Sequence, residues 1–288
     1  MRPDQSSLTA ISTAAMRAIE MEKPTDERIC SDPLARKLIP AWYYAFMKRV
    51  TATRYAERRA AGDLNFIVAR CRFMDDLLSD SMDQGLQQLV ILGAGFDSRA
   101  YRFGRLRDGI KVFEVDHPAT QQAKVKQLTR ILGAGGLPAS VSFVPIDFSR
   151  ETLEACLPEC GYSDRLKTLF IWEGVTMYLD AHAVDSTLAF VVQHSAPGSA
   201  IVFDYSCEQP ASPLKRDFVV LLVSFLRSFS KEERNFEIAQ TQIEPFLASR
   251  GFGRVEHFTG ADLHVRYFTG KNVGRRMTTG YGIAVGVV

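Results

Sequence analysis

Cysteine, histidine and net charge are all scarce in this chain. Its 288 residues hold five cysteines: Cys30, Cys71, Cys156, Cys160 and Cys207. An odd, sparse set argues against a disulfide scaffold and for free thiols in a reducing compartment. No C-x-x-C pair or histidine cluster completes a zinc site, so no metal is expected. The formal net charge is only +2. That leaves no basic stripe for nucleic acid and no field for a strongly acidic partner. No apolar run approaches the ~20 residues that span a bilayer. The longest, 218–229, is interrupted by Ser224, Arg227 and Ser228. No apolar stretch follows the first basic residue, as a secretory signal would require. The expectation is a cytoplasmic protein that binds neither nucleic acid nor membrane. Nothing in the sequence fixes its oligomeric state.

What is present is a change of texture along the chain. Residues 1–84 read as an N-terminal helical cap. Thr9 to Met21 has Ala, Ile and Met at helical spacing, Asp32-Pro33 starts a helix, and Leu64 to Met82 carries an apolar stripe. Residues 85–288 read as an α/β core. Seven strands are expected at 88–92, 111–115, 141–145, 168–172, 200–204, 254–258 and 282–288. Helical patterns separate the first five, which implies parallel βαβ units. The last two suit an antiparallel pair at one edge. The fold class is therefore α/β, with a doubly wound, seven-stranded, mostly parallel sheet. The apolar stretch within about 207–251 has two readings, an inserted helical lid over the strand tips or a crossover helix in the core.

Open α/β sheets bind ligands outside the carboxyl ends of their strands. The first strand runs into Gly93-Ala94-Gly95-Phe96-Asp97-Ser98. The two glycines permit a sharp turn and close approach of backbone to ligand. Ser98 stands where a dinucleotide fingerprint has its third glycine. Asp97 would repel a pyrophosphate from the following helix N-terminus. A phosphate-free, cationic nucleoside such as S-adenosylmethionine suits that carboxylate better than NAD. The second strand ends at Asp116-His117, about 20 residues on, where a ribose-binding acid is expected. Glu114 points the same way along the strand and is the rival; Asp116 is preferred because it falls at the tip. Asp147 and Phe148 follow the third strand, placed for adenine, although Asp147 could equally cap a helix starting near Arg150. Glu173 follows the fourth strand, and Tyr178 lies close enough to reach an acceptor or to be a surface aromatic. His117, His182 and His194 are histidines without a telling motif; His117, beside Asp116, is the best placed of the three to act as a base.

The runs ILGAGFDSRAYRF, FEVDHP, PIDF and WEGVTMYL, with TAISTAAMRAIEMEKP, SDPLARKLI and ARCRFMDDLL before them, resemble the leucine carboxyl methyltransferase family. The likeness is strongest to its small-molecule carboxyl methylating branch and covers about 9–204. It implies a Rossmann-like methyltransferase with S-adenosylmethionine as cofactor. It implies that Arg70 pairs with the methionine carboxylate and Gly93 lines the methionine portion. It further assigns Asp116 to the ribose, Asp147 and Phe148 to the adenine, and Glu173 to the acid after strand four. Cys71 stands where the family commonly has Thr, and Phe148 where it commonly has Leu.

The expected cofactor-binding set is Arg70, Gly93, Ala94, Gly95, Asp97, Asp116, His117, Asp147, Phe148 and Glu173. Glu173 and Tyr178 are the expected positioning residues for catalysis. An already ionised carboxylate acceptor needs no general base. The expected reaction is thus methyl-ester formation on a small hydrophobic or aromatic acid. A phenol or hydroxyl acceptor, a protein C-terminal carboxylate and a non-catalytic cofactor-binding regulator stay open as alternatives.

Overall fold

The computed structural model describes residues 8–53, 60–133, 135–147, 151–207 and 235–288. Short runs of β-branched and aromatic residues between turns become seven strands. They are β1 (Gln88–Leu92), β2 (Lys111–Asp116), β3 (Val141–Pro145), β4 (Thr168–Trp172), β5 (Ala200–Ser206), β6 (Arg254–Thr259) and β7 (Tyr281–Val287). Each lies within two residues of its expected bounds. The sheet order is β3-β2-β1-β4-β5-β7-β6. The first five strands pair in parallel; β7 runs antiparallel to both β5 and β6. This is the expected doubly wound, mostly parallel sheet with an antiparallel pair toward one edge.

The outermost strand of that pair is β6, and β7 is interior. The residues explain it. No residue of β6 is fully buried, whereas Gly282 to Gly286 is buried throughout. A Cβ on Gly282 would come within 2.6 Å of the Tyr205 ring, and one on Gly286 within 2.7 Å of the Phe252 ring. Glycine at both places lets aromatic rings lie flat against the strand.

The described helices are α1 (Leu8–Glu20), α2 (Ala35–Leu38), α3 (Ala41–Thr51), α4 (Ala61–Asp83), α5 (Arg99–Arg102), α6 (Pro118–Leu132), α7 (Leu153–Glu159), α8 (Ala181–Gln193), α9 (Ile243–Ala248) and α10 (Gly260–Tyr267). Asp32 starts α2 as read from the sequence, accepting from the backbone N–H of Leu34 and Ala35 at 3.1 and 3.0 Å. Alternation along the strands splits the core into two layers. Leu89, Ile91, Leu169 and Ile171 meet Ala14, Met16, Phe66 and Leu78 of α1 and α4 on one face. Val90, Leu92, Phe170 and Trp172 meet Leu157, Val184, Leu188 and Leu247 on the other. The N-terminal helices therefore share one apolar layer with the sheet.

Most of the segment expected as a lid, 208–234, lies outside the described residues. Of its described remainder, Phe236, Ile238, Ile243 and Leu247 are buried in the second layer. No described helix is long and apolar enough to cross a membrane.

Candidate active site

Strand order reverses between β1 and β4, and there the helices on opposite faces diverge. A cavity of about 210 Å³ opens at this point. Its floor is the loop after β1, Gly93 to Asp97. Asp116, His117 and Thr120 come from the end of β2 and the start of α6. Glu173, Gly174, Val175 and Tyr178 follow β4. Thr9, Ala10, Thr13 and Arg17 of α1 and Arg70 of α4 close it from above.

The loop is held at nearly every residue. Gly93 and Gly95 turn with φ of +63° and +42°, a region costly for other residues. The Gly95 N–H donates to Asp116, and the His117 N–H donates to the same carboxylate at 2.6 Å. Arg17 donates to the Phe96 carbonyl at 2.7 Å, and Ser98 donates to Asp32 at 2.7 Å. Each Asp116 oxygen thus keeps one lone-pair direction beyond its backbone bond. Burial pushes the Asp116 carboxyl above its ordinary range; the two backbone bonds and Lys124 oppose the rise. Glu114, the rival acid, lies behind the loop. It is 1% exposed and paired with Lys124 at 2.8 Å, so it does not face the cavity.

On and behind the cavity wall four guanidinium groups interleave with five carboxylates; of these Arg17, Arg70, Asp97 and Glu173 line the cavity itself. Arg17 pairs with Asp32, and Arg102 with Asp75. Arg99 reaches Asp75, Asp97 and Glu173; Arg70 reaches Glu173 and Asp204. Asp116 adds a further acid to the wall, so anions outnumber cations. The Asp97 carboxylate, which lines the cavity, is ion-paired. Arg99, two residues later, donates to both of its oxygens. The surplus belongs to the cluster as a whole. Burial raises the Asp97 carboxyl, but Arg99, Lys124 and Arg17 outweigh it and hold it at about 2. Burial likewise raises Glu173, and Arg99 with Arg70 brings it below its usual range. Asp204 stays raised by burial despite Arg70 and the Gly174 N–H, which donates to it at 2.6 Å.

Arg70 uses Nε and Nη1 on these two acids. No described residue accepts from its Nη2, which faces Gly174: a Cβ built there would stand 3.3 Å from it. Gly174 has φ +72°, so both its turn and its bareness suit the guanidinium. The Tyr178 hydroxyl likewise bonds no described residue.

Of the residues singled out in the sequence, Arg70, Gly93, Ala94, Gly95, Asp97, Asp116, His117, Glu173 and Tyr178 all line this cavity. Asp147 does not. It follows β3, one strand further out, half-buried, and its N–H donates to Glu151 at 2.9 Å. The helix expected near Arg150 starts at Leu153 after Thr152, so Asp147 is not its cap. Phe148 lies outside the described residues. His117 caps α6, its Nδ1 accepting from the Ala119 N–H at 3.3 Å. His182 and His194 sit on and after α8, away from the cavity. Arg17, Arg99 and Asp204 escaped the sequence reading. Only Asp204 carried a usable signal, an acid toward the tip of a predicted strand.

A doubly wound sheet with an acid-lined cleft at its switch point defines the class: an open α/β protein with its cleft where such sheets bind ligands. The leucine carboxyl methyltransferase family model matches residues 10–192; the chain belongs to the leucine carboxyl methyltransferase family. Among curated proteins it is similar to YktD of Bacillus subtilis (strain 168), which bears the name of an S-adenosyl-L-methionine-dependent methyltransferase. The two are 31% identical over 204 residues, 71% of this chain and 66% of YktD. SCO7813 of Streptomyces coelicolor, named in the same way, is 33% identical over 192 residues, 66% of each chain. The chain thus spans just under two thirds of the length of these relatives. Among solved structures, the S-adenosylmethionine-dependent methyltransferase SibL in its apo form aligns with a TM-score of 0.47 at 12% identity. That alignment covers 96% of this chain and 69% of SibL.

Proposed function

We propose that the protein is an S-adenosylmethionine-dependent O-methyltransferase that converts the carboxylate of a small hydrophobic or aromatic acid to its methyl ester. The residues of the cavity fit that cofactor. A surplus of acids suits a ligand carrying a sulfonium and an ammonium. The unused Nη2 of Arg70 suits its carboxylate. Asp116 has acceptor capacity left for two ribose hydroxyls, and the bare turns at Gly93 and Gly95 leave backbone within reach of the ligand. When bound, S-adenosylmethionine supplies an electrophilic methyl group.

The chain's own task is then to bind, orient and keep water out. Arg70, Gly93, Ala94, Gly95, Asp97, Asp116, His117 and Glu173 would hold the cofactor. Glu173 acts mainly by fixing Arg70 and Arg99, and Tyr178 would orient the acceptor oxygen. Proximity and desolvation supply most of the rate gain of a displacement at carbon.

The single observation that carries the carboxylate reading is that, among the described residues, no histidine on the cavity wall is free to act as a base. Among the described residues His117 is the one histidine on the cavity wall, and its Nδ1 is spent on α6. A phenol or alcohol would need a base; a carboxylate does not. Purified protein with methyl-labelled cofactor and a panel of acids, phenols and alcohols tests this. A base-labile label on acids is expected. A base-stable label confined to phenols or alcohols overturns the reading.

A further inference from the structure

A second cavity, about 240 Å³, adjoins the first. Arg70, Gly174 and Tyr178 line both, as do Thr9 and Thr13. Beyond this shared wall it runs between α1, α3 and α4, and its sides include Met16, Phe46, Met47, Leu64, Ile67 and Met177. The polar groups deeper in are already engaged: Ser12 and Tyr43 bond each other at 2.6 Å. Asp63 is exposed and sits at the rim. The two cavities together fall within the ~300–1,000 Å³ usual for small-molecule sites.

We infer that this second chamber receives the hydrocarbon body of the methyl acceptor, and that α1, α3 and α4 select it. The inference rests on the preceding reading that the cofactor fills the first cavity. A molecule in one chamber meets a molecule in the other at the wall of Arg70, Gly174 and Tyr178. The reacting carboxylate belongs at that junction, where the Tyr178 hydroxyl is free to donate. The body beyond it must be apolar. A hydroxyl or amide set against Met16, Phe46, Met47, Leu64 and Ile67 would lose its water to apolar side chains. The fitting class is a monocarboxylic acid with an unsubstituted alkyl or aryl body. Three methionines in the wall let it adjust to several shapes. Acceptor choice at this chamber thereby falls to the N-terminal helices.

The test plugs the chamber in two places, with Ile67→Trp and, separately, Met47→Trp. Calorimetry with S-adenosylhomocysteine comes first and should show affinity within about twofold of the parent, which also reports folding. Saturation-transfer NMR on the protein loaded with S-adenosylhomocysteine then measures binding of straight-chain and aryl acids. Labelled turnover measures kcat/KM across the same series. Both variants should lose about tenfold or more on the longest acids and far less on the shortest, the scale of a few methylenes in an apolar pocket. An unchanged length preference in both variants overturns the inference, as does parent protein that contacts none of the acids. The two readings fail separately. Acids methylated regardless of either plug would leave the carboxyl chemistry standing and remove the chamber. Label carried by alkyl alcohols with the same dependence on the plugs would leave the chamber and remove the carboxyl chemistry.

Discussion

Arg99 and Glu173, 74 residues apart in sequence, meet at 2.7 Å beside the cavity. The other Glu173 oxygen accepts from Arg70 at 3.1 Å. One carboxylate thus ties the helix after the glycine loop to α4. Both guanidinium groups and the acid are largely buried. Breaking such a link strands a charge that water cannot reach. Glu173→Gln puts an amide donor against two cations and should cost about 3–5 kcal/mol by denaturant unfolding. A loss below about 1 kcal/mol would mean that the cluster reorganises around the amide.

Asp116 is the acid on which cofactor affinity should turn. Asp116→Ala should weaken S-adenosylhomocysteine binding by about 1.5–3 kcal/mol, the worth of charge-assisted hydrogen bonds, measured by calorimetry. The pH dependence has a definite sign. Burial raises the Asp116 carboxyl, so protonation begins above the ordinary ~4 for Asp. Binding favours the ionised form, so affinity should fall as pH drops through that raised range. Asp116→Asn should flatten the fall. An unaltered slope in the Asn variant would transfer the titration to another group.

Acid stability should follow Asp97. Its carboxyl is held at about 2 by Arg99 after burial is overcome. A depressed acid contributes stability that is complete above its unfolded value of ~4 and is lost as pH falls through the folded value. The window is therefore about pH 4 to 2, and the contribution is on the order of 2 kcal/mol. Asp97→Asn should remove that part of the acid-unfolding curve, followed by circular dichroism.

Behind the loop, the Lys124–Glu114 pair is 1% exposed at both side chains. Lys124→Met strands Glu114 and should cost about 3–5 kcal/mol. Adding Glu114→Leu should recover most of that loss, because two apolar groups need no partners. Thermal unfolding of the single and double variants checks it; a double variant no better than the single would show that the pair does more than satisfy itself.

The strands were legible because each is a short apolar run between turn residues, and such runs carry their signal locally. Asp116 and Glu173 were legible as candidates because each stands at or just after the tip of a strand that the sequence placed correctly. The ion cluster was not legible. Arg70 finds Asp204 across 134 residues, and Arg99 finds Asp75 across 24; no local pattern announces either pair. The pairing of Asp97 was hidden for another reason. Its neutralising partner stands two residues away, but a loop's side-chain directions cannot be read from spacing. The interior position of β7 was also hidden, although Gly282 and Gly286 left a trace of it in an otherwise apolar strand.

That strand has a consequence for synthesis. β7 is bonded on both sides, yet it follows β5 by some 75 residues and β6 by some 20 in translation. Until residues 281–287 leave the ribosome, the nascent sheet ends in the open apolar flank of β5, and β6 has nothing to join. Such an unfinished flank is a template for pairing with a neighbouring chain. Slow decoding just before residue 281 should therefore lower the soluble yield of this protein, and brisk decoding should protect it.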